Sequence, residues 1–226
     1  MTNVQTVHQA DKVPRKPVQR AKRDATENGT IDAFERLLMR EGAAGIGVNA
    51  LVKEAGIGKR QLYSYFGGLA GVATEWVKRR NGWPTLDDMR GEPAESFAKR
   101  PSAQKIRIVN RNYAEALRRN PPLCELLTGE FTRSVELKQA VEHIRQLARQ
   151  SFEQLFAEDP DLARPEVMEL NAMAYAASTY LAMRANSQPV FFGLDLSTDR
   201  AWEIAMGMFG RVIEGAPLLP AHKAAA

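Results

Sequence analysis

Between Lys59 and Tyr65 every residue except Leu62 carries a charge or a hydrogen-bonding group: Lys59, Arg60, Gln61, Tyr63, Ser64 and Tyr65. An ammonium, a guanidinium, an amide, a hydroxyl and phenols on one short segment are the groups that contact nucleic acid. Cations and hydroxyls bind phosphate oxygens, whereas Gln matches the adenine edge and Arg the guanine edge. Residues for other chemistry are missing or scattered. Cys124 is the only cysteine, which excludes an intramolecular disulfide framework and fits a reducing compartment. Three histidines, two of them His8 and His222 near the ends, leave no His-rich metal cluster. No nucleophile elbow, HExxH or metal-spaced Cys/His set occurs. Gly42, Gly45 and Gly47 fall between helical patterns rather than after a strand, so they form no dinucleotide loop. No enzyme activity, cofactor or metal is expected.

A basic segment this short needs a scaffold, and the surrounding spacing predicts one. From Asp24, Ile31, Phe34 and Leu38 recur at helical period, with Ala33 and Leu37 alongside, and Gly42 marks the end of the last turn. A short second pattern, Val48, Leu51, Val52 and Ala55, stops at Gly56. A third begins near Lys59 and carries Leu62, Tyr63 and Phe66, and a fourth runs from Val72 through Trp76 and Val77 to Arg80. Two short helices about a glycine turn make a helix-turn-helix. The turn residue takes a left-handed backbone that costs a non-glycine residue about 1–2 kcal/mol. Leu51, Ala55, Ile57 and Leu62 are spaced to pack the pair together, which leaves Lys59, Arg60, Gln61, Ser64 and the edges of Tyr63 and Tyr65 exposed.

The first helix with Gly42, followed by AGIGKRQLYSYF, resembles the tetracycline-repressor (TetR) family of bacterial one-component regulators. The family pattern is an Ala-Gly turn, here Ala55-Gly56, a lysine opening the recognition helix, here Lys59, and Leu-Tyr-x-x-Phe, here Leu62 to Phe66. The close match covers roughly residues 30–72. Gly58, Arg60, Gln61, Gly68-Leu69 and Val52 depart from the common family residues. The resemblance implies that Lys59, Tyr63 and Tyr65 touch phosphates, that Arg60 and Gln61 face base edges, and that Asn49 binds a phosphate at the start of the second helix. A helix N-terminus favours an anion, which agrees with the role implied for Asn49. Tyr63 and Phe66 can equally be core, and Arg60 a solvated charge.

Beyond Arg80 the Asn81-Gly82-Trp83-Pro84 turn opens a stretch to residue 101 with little periodicity, where the domain boundary is placed. Helices follow. Ile106, Val109, Tyr113 and Leu117 line one face, Asn120-Pro121 reads as an N-cap with proline at N1, and Leu137 to Leu155 is a long amphipathic helix. Residues 165–186 and 198–214 are two more, separated by an apolar loop around 190–194. The expected fold is all-α, an N-terminal helix-turn-helix DNA-binding domain joined to a C-terminal helical ligand-binding and dimerisation domain. The divisions are a flexible basic arm 1–22, the head with its connecting helix 23–80, the regulatory domain 81–217 and a tail 218–226.

The resemblance implies that 165–186 and 198–214 form a four-helix bundle with a symmetry mate, where Ala201, Gly207 and Gly210 let backbones approach; an internal core is the other reading. It also implies a cavity among the central helices. Tyr113, Leu117, Leu126, Phe131, Phe152, Met173, Tyr175 and Tyr180 are its candidate walls, and Arg111, Glu115 and His143 its candidate polar ends, although helical spacing alone also fits core. The partners expected are a palindromic double-stranded DNA operator, a second copy of the chain and a small-molecule effector. A helix-turn-helix protein governed by a protein partner, or acting architecturally, is the alternative.

Charge is uneven along the chain. Residues 1–80 hold 14 Lys and Arg against 8 Asp and Glu, and residues 1–23 hold Lys12, Arg15, Lys16, Arg20, Lys22 and Arg23 against Asp11 alone. That excess is either a solvated tail or an arm that follows the DNA backbone. No apolar run reaches the roughly 18 residues of a membrane span, and no secretory signal core is seen, so a cytoplasmic protein is expected.

Overall fold

The apolar period of 3.6 residues yields helices almost throughout. The structure, a computed structural model, describes residues 17–80, 82–157 and 159–215. The expected arm up to residue 16, with Lys12, Arg15 and Lys16, and the tail 218–226 lie outside the described residues. In the head are α1 (Pro17–Gly45), α2 (Val48–Ala55), α3 (Lys59–Phe66) and α4 (Leu69–Arg79). Two short helices follow, α5 (Leu86–Arg90) and α6 (Ala94–Ala98). Then come α7 (Ser102–Arg118), α8 (Pro121–Leu127) with a 3-10 turn at Thr128–Phe131, α9 (Val135–Phe156), α10 (Pro165–Ser187) and α11 (Asp199–Glu214).

Three boundaries differ from expectation. α1 begins at Pro17 rather than Asp24, so residues 17–22 are helix and not arm; proline is compatible with a first helical position, and the chain continues straight into the periodic segment. The stretch 81–101 contains α5 and α6. Thr85 starts α5 with a capping box, its Oγ1 accepting from Asp88 N–H (3.1 Å) while the Asp88 carboxylate accepts from the Thr85 hydroxyl (2.7 Å) and N–H (2.8 Å), two bonds that hold that carboxyl below its ordinary range. The loop expected between α10 and α11 holds a two-residue hairpin, β1 (Val190–Phe191) against β2 (Leu194–Asp195). It turns through Phe192 and Gly193, both at positive φ.

A single apolar core runs from head to body. Ile31, Phe34 and Leu38 of α1 meet Leu51, Leu62, Val72 and Trp76, and continue into Val109, Tyr113, Leu117, Leu126, Val141 and Ile144. α7 lies at the centre of the body, against α5, α10 and α11, while α4 packs on α1 and α9. As read from the sequence, Asn120 caps α8, accepting from Leu123 N–H at 3.1 Å with Pro121 at N1.

The run of α1 is interrupted at Gly42, where φ is 68° and ψ is 172°. A Cβ there would stand 2.9 Å from Oε1 of Glu125, the oxygen that accepts the Ala43 N–H at 2.8 Å. The broken helix end of the head is thus held by a carboxylate from α8 of the body. Gly29 lies within α1 with open space around it. Gly42→Ala is expected to destabilise the fold by about 1–3 kcal/mol, and Gly29→Ala to stabilise it by about 0.5–1 kcal/mol. Urea denaturation of both variants checks this pair of opposite signs.

Candidate nucleic-acid interface and ligand cavity

α2 ends on Gly56 at φ 64°, ψ 31°, the left-handed turn that aims α3 away from α2. Its N–H donates to Lys53 O, and Ile57 N–H donates to Val52 O at 3.1 Å, which satisfies the last carbonyls of α2. α3 is eight residues long and ends on Gly67, also left-handed. Leu62 is its buried residue and belongs to the core, α3 packing against α2 and α4, while Phe66 packs at the core edge.

Once Leu62 is buried, the helical repeat leaves Lys59, Arg60, Tyr63 and Ser64 exposed. Tyr63 is 52% exposed and is therefore not core. Gln61 and Tyr65 are half-buried, because one side of α3 lies along the first turns of α1. Asn49 is exposed in the first turn of α2. The N-caps of α2 and α3 are Gly47 and Gly58, so neither helix start is closed by a side chain.

Ion pairing sorts the cations of the head. Arg36 and Arg40 bind Glu54 at 3.1 and 3.0 Å, and Arg79 binds Glu27 at 2.8 Å. Arg80 pairs with Asp32, and Lys78 with Glu75. Among the described residues Arg20, Lys22, Lys53, Lys59 and Arg60 have no acidic partner (Arg23 is held by Glu27). The uncompensated charge therefore sits on α3, on the start of α1 and at the end of α2. A face with unpaired cations, an amide and hydroxyls can bind phosphates and read base edges.

In the body a cavity of about 360 Å³ opens between α9 and α10. Ala148, Phe152, Met168, Ala172 and Tyr175 make its walls, with Asn171, and Arg145, Arg149 and Glu169 as charged groups. The Tyr175 hydroxyl is buried near Tyr113, Thr179 and Arg145 without a well-formed hydrogen bond to any of them, and burial raises its pKa. Asn171 accepts from Asn110 Nδ2 at 2.9 Å, which leaves the buried Oδ1 of Asn110 without a partner. Two of the expected wall residues, Phe152 and Tyr175, line this cavity.

The other expected walls lie elsewhere. Tyr113 stands behind the wall, its ring stacked on Tyr175 at 5.1 Å and its hydroxyl paired with Thr179 at 2.9 Å; burial pushes its pKa well up. Leu117 and Leu126 are fully buried core. Phe131 and Met173 are 77% and 72% exposed, Phe131 at the end of a 3-10 turn and Met173 on the outer face of α10. Tyr180 is also exposed. The expected polar ends are elsewhere too: Arg111 pairs with Glu203, Glu115 with Arg118 and Arg119, and His143 is exposed. Sequence reasoning missed Arg145, Arg149, Asn171 and Ala172. Their positions every third or fourth residue on α9 and α10 were the available signal.

No protein-family model and no curated protein matches the chain. Solved structures do share its fold. The fatty acid degradation regulator FadR from Bacillus halodurans superposes with a TM-score of 0.55 at 14% identity, covering 92% of this chain and 100% of that one. The transcriptional regulator FadR from Bacillus subtilis, in complex with stearoyl-CoA, gives 0.54 at 14% identity, covering 83% of this chain and 97% of that one. NalD, the secondary repressor of the MexAB-OprM multidrug efflux pump in Pseudomonas aeruginosa, gives 0.48 at 18% identity, over 83% and 97% of the two chains. At these identities the likeness to the two FadR structures is one of fold. No helix among the described residues is long and apolar enough to cross a membrane.

Cys124 is buried, and burial pushes its thiol up to about 12 while Sγ donates to Leu117 O at 3.2 Å. A thiol held protonated in this way is a poor nucleophile. Native protein at pH 8 is expected to react with Ellman's reagent at least ~100-fold more slowly than urea-unfolded protein. Equal rates in both states would contradict the burial.

Proposed function

We propose that this protein is a cytoplasmic homodimeric transcriptional regulator of the tetracycline-repressor kind, a repressor that a small molecule releases from a palindromic operator. The observation that carries the reading is the face of α3. Lys59 and Arg60 are its cations without acidic partners, Ser64 and Tyr63 are exposed beside them, and Gln61 lies one residue further round. Lys59, Tyr63, Ser64 and Tyr65 contact phosphates with Asn49 of α2, and Gln61 and Arg60 meet base edges.

A single head makes a small interface, and two heads on a two-fold site supply specific affinity. α10 and α11 are the pairing elements. Ile204, Met208 and Val212 recur every four residues as an exposed apolar stripe on α11, and Met173 and Tyr180 are exposed seven residues apart on α10. Of the small residues on α11, Gly207 has open space and can admit a partner. Ala201 is buried, and a Cβ on Gly210 would stand 2.7 Å from Arg107 Cδ, so Gly210 serves packing within the chain.

The cavity between α9 and α10 is the effector site. Apolar walls with a few polar groups suit a small molecule with an alkyl or aryl body and a hydrogen-bonding end. The stearoyl-CoA bound by the Bacillus subtilis neighbour makes fatty acids and their CoA thioesters the first probes. A ligand that prefers the non-binding arrangement of the heads shifts the population toward it.

Selection from a random-sequence duplex pool is expected to enrich an inverted repeat whose half-sites lie about one helical turn, ~34–36 Å, apart. Lys59→Ala is expected to lower affinity evenly across sequences, and Gln61→Ala to relax preference at one base pair by about 1–3 kcal/mol. If the pool enriches nothing, or if both variants bind like the wild type, α3 is not the recognition helix. For the effector site, a fatty acid or acyl-CoA series is expected to raise Tm and release the duplex. Ala172→Trp, which fills the cavity from its rim, is expected to abolish both effects while leaving duplex binding intact. An undiminished ligand response in Ala172→Trp would place the effector elsewhere.

A further inference from the structure

The first turns of α1 and one side of α3 enclose a cleft of about 290 Å³, lined by Gln19, Lys22, Arg23, Thr26, Gln61 and Tyr65. It abuts the face proposed for nucleic acid, since Gln61 and Tyr65 belong to both. The two cations in it are in different states. Arg23 is engaged twice: its guanidinium carbon lies 4.6 Å from the centre of the Tyr65 ring, and Nε donates to Glu27 Oε1 at 2.7 Å. Glu27 is itself clamped, since Arg79 from the last turn of α4 donates to its other oxygen at 2.8 Å. Burial by itself would raise the Glu27 carboxyl, but the hydrogen bonds and charges of Arg23 and Arg79 outweigh it and hold the group below its ordinary range. Lys22, one residue earlier, is exposed and has no acidic partner among the described residues.

Resting on the DNA-binding reading above, we propose that the start of α1 is a built part of the nucleic-acid interface, in which the cleft receives a backbone phosphate bound by Lys22, and Arg23 is a positioning residue that seats Tyr65. Arg23 is poorly placed as a phosphate ligand, because its Nε is committed to Glu27, a carboxylate it shares with Arg79, and its flat face is covered by the ring. Arg–aromatic stacking holds such a ring at a cost of few hydrogen bonds. Tyr65 and Gln61 are one turn apart on α3, so a ring fixed from the α1 side also sets how far Gln61 projects. Lys22 on a helix differs from a lysine on a loose arm: its position relative to α3 is set before binding, and less ordering entropy opposes the contact.

The test measures affinity as a function of salt, using a duplex that the wild-type chain enriches from a random-sequence pool. Neutralising one phosphate contact less reduces the slope of log K against log salt by about 0.9. Lys22→Ala is expected to weaken binding about three- to tenfold near 0.1 M salt and to lower the slope by about that amount. Arg23→Ala is expected to weaken binding to a similar degree with the slope unchanged, and to add nothing further to Tyr65→Ala in a double-mutant cycle. Arg23→Lys, which keeps a cation beside Glu27 and the ring, is expected to restore most of the affinity; it also serves if Arg23→Ala lowers Tm and fails to fold.

An Arg23→Ala slope that falls like that of Lys22→Ala, or additive losses with Tyr65→Ala, would show Arg23 to be an ordinary contact and overturn the positioning role. Wild-type affinity and slope in Lys22→Ala, while Lys59→Ala still loses slope, would overturn the cleft and leave the recognition helix standing. A wild-type chain that enriches no duplex would remove the DNA-binding reading and this inference with it.

Discussion

An eight-residue helix does not form alone in water, because nucleation is costly and so few turns cannot repay it. The face that carries Lys59, Arg60, Gln61, Tyr63, Ser64 and Tyr65 therefore exists only because Leu62 is buried in the core, with α3 packed on α2 and α4. That one burial selects which side of α3 is covered. The left-handed glycines at both ends, Gly56 and Gly67, fix where the helix starts and stops. Replacing Leu62 by a polar residue would remove the only fully buried anchor of α3, so the chemistry at the surface is subordinate to an apolar contact beneath it.

Electrostatics then decides what the positioned face can meet. The head holds many cations, but most of those on the long helices are ion-paired within the fold: Arg36 and Arg40 with Glu54 and Glu41, and Arg23 and Arg79 with Glu27 and Glu75. Exposed pairs of this type contribute little stability. Their effect is on the field, since they offset positive charge along the long helices and leave it on α3, at the start of α1 and at the end of α2. The Glu27 pairs differ from the rest because that carboxylate is buried, and it joins the last turn of α4 to the side of α1 that faces Tyr65.

The short helices of the head could be read almost residue for residue, because α2 and α3 each carry an apolar period and end on a glycine that the backbone needs. The start of α1 could not. Residues 17–22 carry no apolar stripe, residues 19–22 are exposed, and a charged segment without periodicity looks like an arm. α5 and α6 are too short to show a period, although the Thr85–Asp88 capping box was visible as a spacing. In the body, helical spacing placed residues on helices but could not say which face turned inward. Phe131 and Met173 are large and apolar, as Phe152 is, yet lie on the surface, and Arg145 and Asn171 border the cavity although nothing in their type marks them.

Contacts between the cavity and the head form a physical sequence. Tyr175, a cavity wall, stacks on Tyr113 at 5.1 Å, and Tyr113 meets Trp83 at 5.5 Å. Trp83 follows Gly82, whose N–H donates to Val77 O at 2.9 Å and whose carbonyl accepts from Asn120 at 3.2 Å, so the end of α4 is tied to the body at that point. At the other end of this sequence, Arg79 of α4 grips Glu27, and Glu27 grips the arginine that covers Tyr65. Rings in contact pass a displacement on where packing is close, and a cavity of about 260 Å³ beside Gly82 and Trp83 leaves room for movement at the α4 end of the sequence. In the proposed regulator, a ligand that moves Tyr175 has to move Tyr113 or be refused, and the nearest element free to answer is the junction of α4 with the body. The same α4 reaches the face of α3 in two ways, by packing against α3 and through the buried carboxylate of Glu27. Coupling by that route would depend on Glu27 staying ionised, which its two arginines secure.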